Sequence, residues 1–270
     1  MDMTVRHASP FLKWAGGKRW LAERHLDLFP EVSGKYIEPF LGSASIYFKL
    51  RPPKAELSDA NPRLIECYQQ MQVDPEIIWA LLTDHQQHHS TDHYYKVRSA
   101  KYESAAERAA QFLYLNRTCW NGLYRVNKKG EFNVPRGTKN AVLLPSDNFG
   151  AISLVLKSAT LRCCDFEEPI KRASSGDLVY VDPPYTVQHN FNGFLKYNEN
   201  IFSWADQIRL REAVVSAASR GVRIVVSNAA HQSVIDLYEG IGKTHFVRRN
   251  SVLAADSKKR GSVDEIMVII

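Results

Sequence analysis

A carboxylate, two prolines and a tyrosine follow one apolar run of the sequence, in the order Asp182-Pro183-Pro184-Tyr185. The run before them, residues 178–181, is apolar enough for a strand that is buried on both faces, and the prolines end its hydrogen-bond ladder because neither has an N–H to donate. We therefore expect Asp182 at the carboxyl end of a strand, where open α/β sheets bind their ligands.

These residue types suit transfer of a group to an exocyclic amine. The Asp182 carboxylate and the Pro183 carbonyl are two acceptors that could hold the two N–H bonds of such an amine and draw its delocalised lone pair toward an attacking geometry. Tyr185 offers a ring on which a flipped base can stack. A buried strand followed by a proline turn without any chemistry remains the alternative at this point.

Three segments near the N-terminus have the composition of a nucleotide site. Residues 13–18 place two glycines between aromatic and basic residues before a helix, although Leu12 and Arg19 stand where a P-loop needs glycine and serine or threonine. Residues 35–48 predict a strand, a tight turn and a helix with Ser43 as its N-cap. A second strand ends at Asp59, about 20 residues after the first, the spacing at which a carboxylate takes ribose hydroxyls. Together the segments predict an adenosine-containing cofactor.

The middle of the chain is helical and then basic. The pattern is helical from Arg63 to about Leu115, and its histidines at 85, 88, 89 and 93 lie in a polar stretch without a partner cysteine, which favours surface histidines over metal ligands. Residues 114–137 predict a β-hairpin with its turn at 127–130. Basic residues alternate there with aromatic ones, namely Arg117, Arg125, Lys128, Lys129, Arg136 and Lys139 with Trp120, Tyr124 and Phe132. This pattern fits nucleic-acid contact, and a surface hairpin held by two aromatic rings is the alternative.

The C-terminal part returns to alternating strands and helices. A strand is predicted to end at Asp165 and Phe166, and residues 186–200 have the composition of a lid. Ser203 is predicted to cap a long helix. Further strands are predicted at 222–227, 244–248 and 263–270. We therefore expect an α/β domain, residues 1–62 and 145–270, that carries an insertion, residues 63–144.

Composition limits the class of protein. The net charge of +6 indicates a polyanionic partner, and the hydrophobic content of 44% is that of a globular chain. The sequence contains no apolar run near the roughly 18 residues of a membrane span and no secretory h-region, so we expect a cytoplasmic protein without membrane contact. Four cysteines without CxxC spacing predict reduced thiols and no metal site.

Five blocks of the sequence match a known family in order. They are Phe11-Leu-Lys-Trp-Ala-Gly-Gly-Lys18, Glu38-Pro-Phe-Leu-Gly42, Asn116-Arg117 with Asn121-Gly-Leu-Tyr-Arg125-Val-Asn127, Phe132-Asn-Val-Pro-Arg-Gly137 and Asp182-Pro-Pro-Tyr185. On these blocks the chain resembles the Dam-type DNA N6-adenine methyltransferases, including those of restriction-modification systems, over nearly its full length.

The resemblance implies a Rossmann-like methyltransferase sheet with an inserted target-recognition domain made of helices and a β-hairpin. It implies S-adenosyl-L-methionine as cofactor and double-stranded DNA as partner, with base flipping. We also expect no metal and a monomer in solution. The cofactor residues that the resemblance implies are Trp14, Ala15, Gly16, Lys18, Glu38, Phe40, Gly42, Asp59, Asp165, Phe166 and Asp182. Asp182, Pro183 and Tyr185 would hold the target adenine. Lys13, Trp120, Asn121, Arg125 and Pro135 would contact DNA, in a site resembling GATC.

Two departures from the family pattern and several alternatives stay open. Ala44 stands where the family commonly has a second glycine, and residues 136–140 differ from the family's aromatic and basic run, which affects readout of the outer bases. Methylation of cytosine N4 is one alternative, because it needs the same two acceptors around an amine. A DNA-binding protein without catalysis is the alternative from another class. RNA is a less suitable substrate than duplex DNA for a hairpin with a guanine-binding arginine.

Overall fold

The structure, a computed structural model, describes residues 8–187, 202–250 and 262–270. Its sheet has seven strands in the order β3-β2-β1-β4-β5-β7-β6. They are β1 Tyr36–Glu38, β2 Ala55–Asp59, β3 Ala159–Cys163, β4 Leu178–Val181, β5 Arg223–Ala229, β6 Lys243–Asn250 and β7 Ser262–Ile269. β4 pairs in parallel with β1 and β5, whereas β7 runs antiparallel to β5 and β6. The predicted α/β class is confirmed, with a mixed sheet.

Ten α-helices lie in the described part of the chain. They are α1 Arg19–Arg24, α2 Ser45–Leu50, α3 Pro62–Val73, α4 Pro75–His88, α5 Thr91–Ser99, α6 Ala105–Thr118, α7 Phe149–Leu156, α8 Glu167–Arg172, α9 Trp204–Ala218 and α10 Gln232–Tyr238. None of these helices combines the length and the apolar composition that a membrane crossing requires.

Side-chain caps divide the long helical pattern into separate helices. The Asn61 side chain accepts hydrogen bonds from the backbone at Arg63 and Leu64, and Asp74 and Ser90 cap α4 and α5 in the same way. Each cap satisfies backbone N–H groups that have no partner within the helix. The region predicted as helical therefore contains four helices, α3 to α6.

Two N-caps, Ser203 and Ser43, were predicted from the sequence. Ser203 forms a capping box with Asp206 at the start of α9, as predicted. The prediction for Ser43 is wrong, because the chain turns through a left-handed residue at Ala44, with φ of 54°, and α2 begins one residue later. The Ser43 hydroxyl lies 3.0 Å from the Ser45 hydroxyl instead.

The hydrophobic core around β4 holds the end of that strand in place. All four residues of β4 are buried, and Val179 and Val181 pack in one cluster with Ile224, Val226 and residues of α8, α9 and α10. A strand that is buried on both faces has little freedom to move. The residue that follows β4, Asp182, therefore begins from a fixed position.

The described residues group into two compact units by their mutual contacts. Within the described residues, the first unit contains residues 8–19, Leu41–Pro53 and Leu57–Cys163, and the second contains Trp20–Phe40, Lys54–Glu56 and the described part of 164–270. The predicted division into residues 1–62 with 145–270 and an insertion of 63–144 stays a prediction. The predicted lid lies outside the described residues from position 188 to position 200.

Candidate functional site

Asp182 leaves β4 with its carboxylate already held by a neighbouring strand. The Ser227 hydroxyl on β5 donates to Asp182 Oδ1 at 2.8 Å, and the Tyr180 hydroxyl lies 3.0 Å from the Ser227 oxygen. Since serine has one hydroxyl proton and gives it to the carboxylate, Tyr180 must be the donor to Ser227. A relay from Tyr180 through Ser227 therefore orients the Asp182 carboxylate.

The hydroxyl group of Tyr185 is held by a buried glutamate. This hydroxyl donates to Glu265 Oε2 at 2.7 Å, and Glu265 lies on β7 with only 1% of its surface exposed. Burial, with the negative charges of Asp182 and Glu265, raises the pKa of Tyr185 well above its ordinary value. The phenol is therefore a hydrogen-bond donor and a ring surface, and it is not a base.

Ser227 and Glu265 are functional candidates that the sequence reading missed. Both are buried polar residues next to an apolar run of their strand, Val225-Val226 before Ser227 and Ile266 to Val268 after Glu265. A polar group within a buried strand must find a partner, because an unpaired one costs about 1–3 kcal/mol. That signal could have identified both residues, but it could not have named their partners.

Two of the predicted cofactor residues in the second unit, Phe40 and Phe166, form an aromatic pair. Phe40 and Phe166 stack with ring centroids 5.3 Å apart at 23°, and Asp165 comes directly before Phe166. In the same unit Glu38 is buried and accepts the Tyr36 hydroxyl at 2.9 Å. Burial and the Glu38 carboxylate raise the pKa of Tyr36 well above its ordinary value, so this hydroxyl keeps its proton.

In the first unit, the structure brings Trp14, Gly42 and Asp59 together. Gly42 has φ of +47°, and a Cβ built on it would lie 2.8 Å from Trp14 Cδ1, so glycine permits the close approach of the indole. The Gly42 N–H donates to Asp59 Oδ2 at 3.2 Å. Burial raises the pKa of Asp59 to about 6.

The remaining residues of this predicted cofactor segment differ in exposure. Ala15 is exposed and Gly16 is half-buried, whereas Lys18 is buried and its Nζ donates to the Gly16 carbonyl at 2.8 Å. The ammonium of Lys18 thus closes the glycine turn by a local hydrogen bond. The conformation of this turn is therefore stabilised by a hydrogen bond between two of its own residues, Lys18 and Gly16.

All five residues predicted to contact DNA lie in the first unit and are exposed, namely Lys13, Trp120, Asn121, Arg125 and Pro135. The Arg125 Nε donates to Asn133 Oδ1 at 2.8 Å, and the Trp120 N–H donates to the Pro135 carbonyl at 2.9 Å. Burial and the nearby positive charge of Lys139 lower the pKa of Lys13. This set of exposed polar, cationic and aromatic groups matches what duplex contact needs.

The predicted hairpin is present as a turn without continuous strands. The Gly130 N–H donates to the Asn127 carbonyl at 2.9 Å, which confirms the turn at 127–130. The two segments on either side of this turn pair only at isolated β-bridges, Cys119 with Arg136 and Val126 with Phe132. A 3₁₀ turn at Trp120–Gly122, with Asn121 at φ of 55°, interrupts a regular ladder.

Arg117 stabilises the fold, so the prediction that it is one of the basic residues contacting nucleic acid is wrong. Its side chain is 1% exposed and donates to both oxygens of Asp147, at 2.6 Å and 2.8 Å. It also donates to the carbonyls of Val142 and Phe11. The last turn of α6 directs Arg117 inward, where a guanidinium needs these partners.

The histidine prediction is wrong for His85, which is buried. His85 Nδ1 lies 3.1 Å from His93 Nε2, and burial, with the charge of His93, lowers the pKa of His85 to about 4. The described residues contain no group of three or more side chains that could hold a metal ion. All four cysteines are free thiols, as predicted.

Comparison with known proteins gives a family match and full-length relatives. The family model described as D12 class N6 adenine-specific DNA methyltransferase matches residues 14–252. The Type II methyltransferase M1.LlaDCHI of Lactococcus lactis subsp. cremoris is 38% identical over 268 residues, which cover 96% of this chain and 94% of that protein. The Type II methyltransferase M.MjaIII of Methanocaldococcus jannaschii is 34% identical, with 96% and 98% covered. The DNA adenine methylase of Escherichia coli (strain K12) is 30% identical, with 96% and 94% covered.

Proposed function

Because the chain belongs to the D12 class of N6 adenine-specific DNA methyltransferases, we propose that it takes its methyl group from S-adenosylmethionine and acts on an adenine flipped out of duplex DNA at a GATC-like site. The observation that supports this proposal most is the position of Asp182, which follows a fully buried strand and is held by Ser227 at 2.8 Å.

Asp182 acts in this proposal as an oriented acceptor. With Oδ1 fixed by Ser227, the plane of the carboxylate is set before a substrate arrives, which removes part of the entropic cost of alignment. Asp182 and the Pro183 carbonyl accept the two N–H bonds of the adenine amino group, and Tyr185 supplies a ring for stacking. A strong base is not required, because an aniline-like amine loses its proton readily once it is alkylated.

The residues of the first unit fit one part of the cofactor. Trp14 packs closely over Gly42, which places an indole ring beside the turn, and Asp59 provides carboxylate oxygens suited to two ribose hydroxyls. When bound, S-adenosylmethionine supplies an electrophilic methyl group on a sulfonium. We assign Ala15, Gly16 and Lys18 to the same segment of the cofactor contact.

The second unit contributes the other proposed cofactor residues. Glu38, two residues before Phe40, is a buried carboxylate, and a buried negative group favours a cationic sulfonium nearby. Phe166 and Asp165 are proposed to hold the adenine ring of the cofactor, and Asp182 would contribute to the same cofactor site. These assignments follow the family resemblance, residue by residue.

Recognition of DNA is assigned to the exposed residues of the first unit. Arg125 is proposed to grip a guanine through O6 and N7, and Trp120, which is 49% exposed, to insert between base steps. Lys13, Asn121 and Pro135 complete the proposed contact. Residues 63–144 are proposed to form a target-recognition domain within the methyltransferase domain.

The proposal is tested by incubating unmethylated plasmid with the protein and S-adenosylmethionine, followed by single-molecule sequencing and mass spectrometry of the nucleosides. We expect N6-methyladenine at GATC-like sites, and none with Asp182→Ala. N4-methylcytosine as the product, or normal methylation by Asp182→Ala, would contradict the proposed chemistry. N6-methyladenine in an unrelated sequence would contradict only the proposed site.

A further inference from the structure

Arg209 on α9 grips the carboxylate of Asp165 with two parallel hydrogen bonds. Its Nη1 donates to Asp165 Oδ1 and its Nη2 donates to Asp165 Oδ2, each at 3.0 Å. Nη2 also donates to Asp206 Oδ1 at 3.0 Å, one turn earlier on the same helix. The guanidinium is thereby held on one side by its own helix and on the other by Asp165. A fork of this kind sets the plane of a carboxylate, which a single hydrogen bond does not.

The same guanidinium covers the ring of the next residue. Arg209 Cζ lies 4.3 Å from the centroid of Phe166, which is 5% exposed and also stacks against Phe40. A cation at this distance is attracted to the ring. One side chain on α9 therefore positions both residues of the Asp165-Phe166 pair.

The contacts of Asp165 leave a definite acceptor position. Oδ1 accepts from the Glu167 N–H at 2.9 Å and from Arg209, whereas Oδ2 accepts from Arg209 alone among the described residues. An ionised carboxylate can accept about four hydrogen bonds, two at each oxygen. Oδ2 therefore retains one acceptor position, on a side chain that is 44% exposed. Such a position takes an N–H donor and rejects a carbonyl.

We propose that Arg209 is a positioning residue that makes Asp165 select a 6-amino purine, an adenosyl group, over a 6-oxo purine in the cofactor. This inference rests on the proposed function, in which Asp165 and Phe166 hold the adenine of S-adenosylmethionine. Arg209 acts through Asp165: it holds the plane of the carboxylate, so that Oδ2 is placed to accept the exocyclic N–H of adenine. Hypoxanthine presents an oxygen at that place, and two acceptors facing each other repel.

Arg220 provides a matched control. It follows α9 and donates to backbone carbonyls at the other end of α8, at Ile170 over 3.0 Å and at Ala173 over 3.3 Å. Arg209 and Arg220 thus both join the α9 region to the α8 region, but of these two arginines only Arg209 contacts Asp165 in the described residues. Loss of Arg220 reproduces the structural effect of losing an arginine without changing the carboxylate.

The experiment measures binding of S-adenosylhomocysteine and S-inosylhomocysteine by titration calorimetry to the full-length protein and to Arg209→Gln, Arg209→Lys and Arg220→Gln. We expect the unmodified protein to prefer the adenosyl ligand by at least about tenfold. Arg209→Gln should lose about tenfold in adenosyl affinity and little in inosyl affinity, so that the preference shrinks. Arg209→Lys should be intermediate because it keeps the charge and loses the fork. Arg220→Gln should keep the full preference.

The outcomes separate the two proposals. A preference that is unchanged in Arg209→Gln, or reduced equally in Arg220→Gln, overturns the role of Arg209. Failure of the unmodified protein to bind either ligand overturns the cofactor assignment itself, and the inference with it. If Arg209→Gln does not fold, as judged by circular dichroism, Asp165→Asn provides the second test. An amide can donate as well as accept, so that variant must lose the preference, and retention of it would overturn the inference.

Discussion

The Ser227 hydroxyl donates a hydrogen bond to Asp182 Oδ1 at 2.8 Å, although the two residues are 45 positions apart in the chain. The parallel pairing of β4 with β5 aligns Val181 with Val226, so the next residue of each strand lies at the same edge of the sheet. The register of two buried strands therefore delivers a hydroxyl to the carboxylate that is proposed to hold the target amine.

Substitution of Ser227 by alanine removes the hydrogen bond that orients Asp182. We expect kcat to fall by about tenfold, because a hydrogen bond to a charged group contributes about 1.5–3 kcal/mol and part of that is replaced by water. KM for DNA should change little, since Ser227 is not among the proposed DNA residues. Steady-state methylation kinetics measure both. Ser219→Ala, which removes an exposed serine at the end of α9, is the control, and an unchanged kcat in Ser227→Ala would contradict the role of the bond.

Arg125 is expected to discriminate at one guanine. Only its Nε has a partner among the described residues, the Asn133 side chain at 2.8 Å, so the terminal nitrogens remain for a base. Arg125→Ala should lower discrimination at one position of the site by about 1–3 kcal/mol. Methylation rates on duplexes with single base changes measure this. Lys128→Ala, on the adjacent turn, should weaken binding equally for all sequences; the same uniform loss in Arg125→Ala would mean that Arg125 contacts phosphate.

The affinity for cofactor should depend on pH through Asp59. Burial raises the pKa of Asp59 to about 6, so its carboxylate becomes protonated as the pH falls below that value. If the ionised form holds the ribose hydroxyls, affinity is constant above about pH 7 and falls by up to about tenfold per pH unit below 6. Calorimetric titration with S-adenosylhomocysteine between pH 5 and 8 measures the profile. Asp59→Asn should bind more weakly and with a flat profile, and an unchanged slope in that variant would assign the titration to another group.

Loss of Asp147 should destabilise the fold strongly. Asp147→Ala leaves the Arg117 guanidinium buried without its carboxylate, and removal of one partner of a buried ion pair costs about 3–5 kcal/mol. Unfolding in urea, followed by circular dichroism, gives the change in free energy. Asp264→Ala breaks the exposed pair with Arg248 and should cost less than about 1 kcal/mol. Equal losses of unfolding free energy in the two variants would contradict the prediction that burial makes the Arg117–Asp147 pair the more important one for stability.

Much of the fold was predictable because its signals are local. The apolar run of β4 ended by two prolines, the cap at Ser203 and the turn at 127–130 each depend on residues within a few positions of one another. Ser43 shows the limit even of local reasoning: its residue type suits an N-cap, but the left-handed backbone at Ala44 places the start of α2 elsewhere.

The strand ends that carry the candidate site residues were predictable, and the surroundings of those residues were not. Asp182, Asp59 and Asp165 were each placed at the end of a strand by the pattern around them. Nothing in that pattern indicated that Ser227 holds Asp182, that Arg209 grips Asp165, or that His85 is buried beside His93. Arg117 was grouped with exposed basic residues because its charge is visible in the sequence and its burial is not.

The sequence by itself determined the alternation of strands and helices, the strand that carries Asp182 and the family to which the chain belongs, since hydrophobic period, turn residues and short motifs are properties of neighbouring positions. Only the tertiary structure decided which distant side chain faces each of these groups. The reason is physical: a charged or polar group that is taken out of water must be matched by a partner, and the partner is chosen by the packing of strands and helices rather than by separation along the chain. Asp182 has Ser227 because β5 lies beside β4, and Asp165 has Arg209 because α9 lies beside α8.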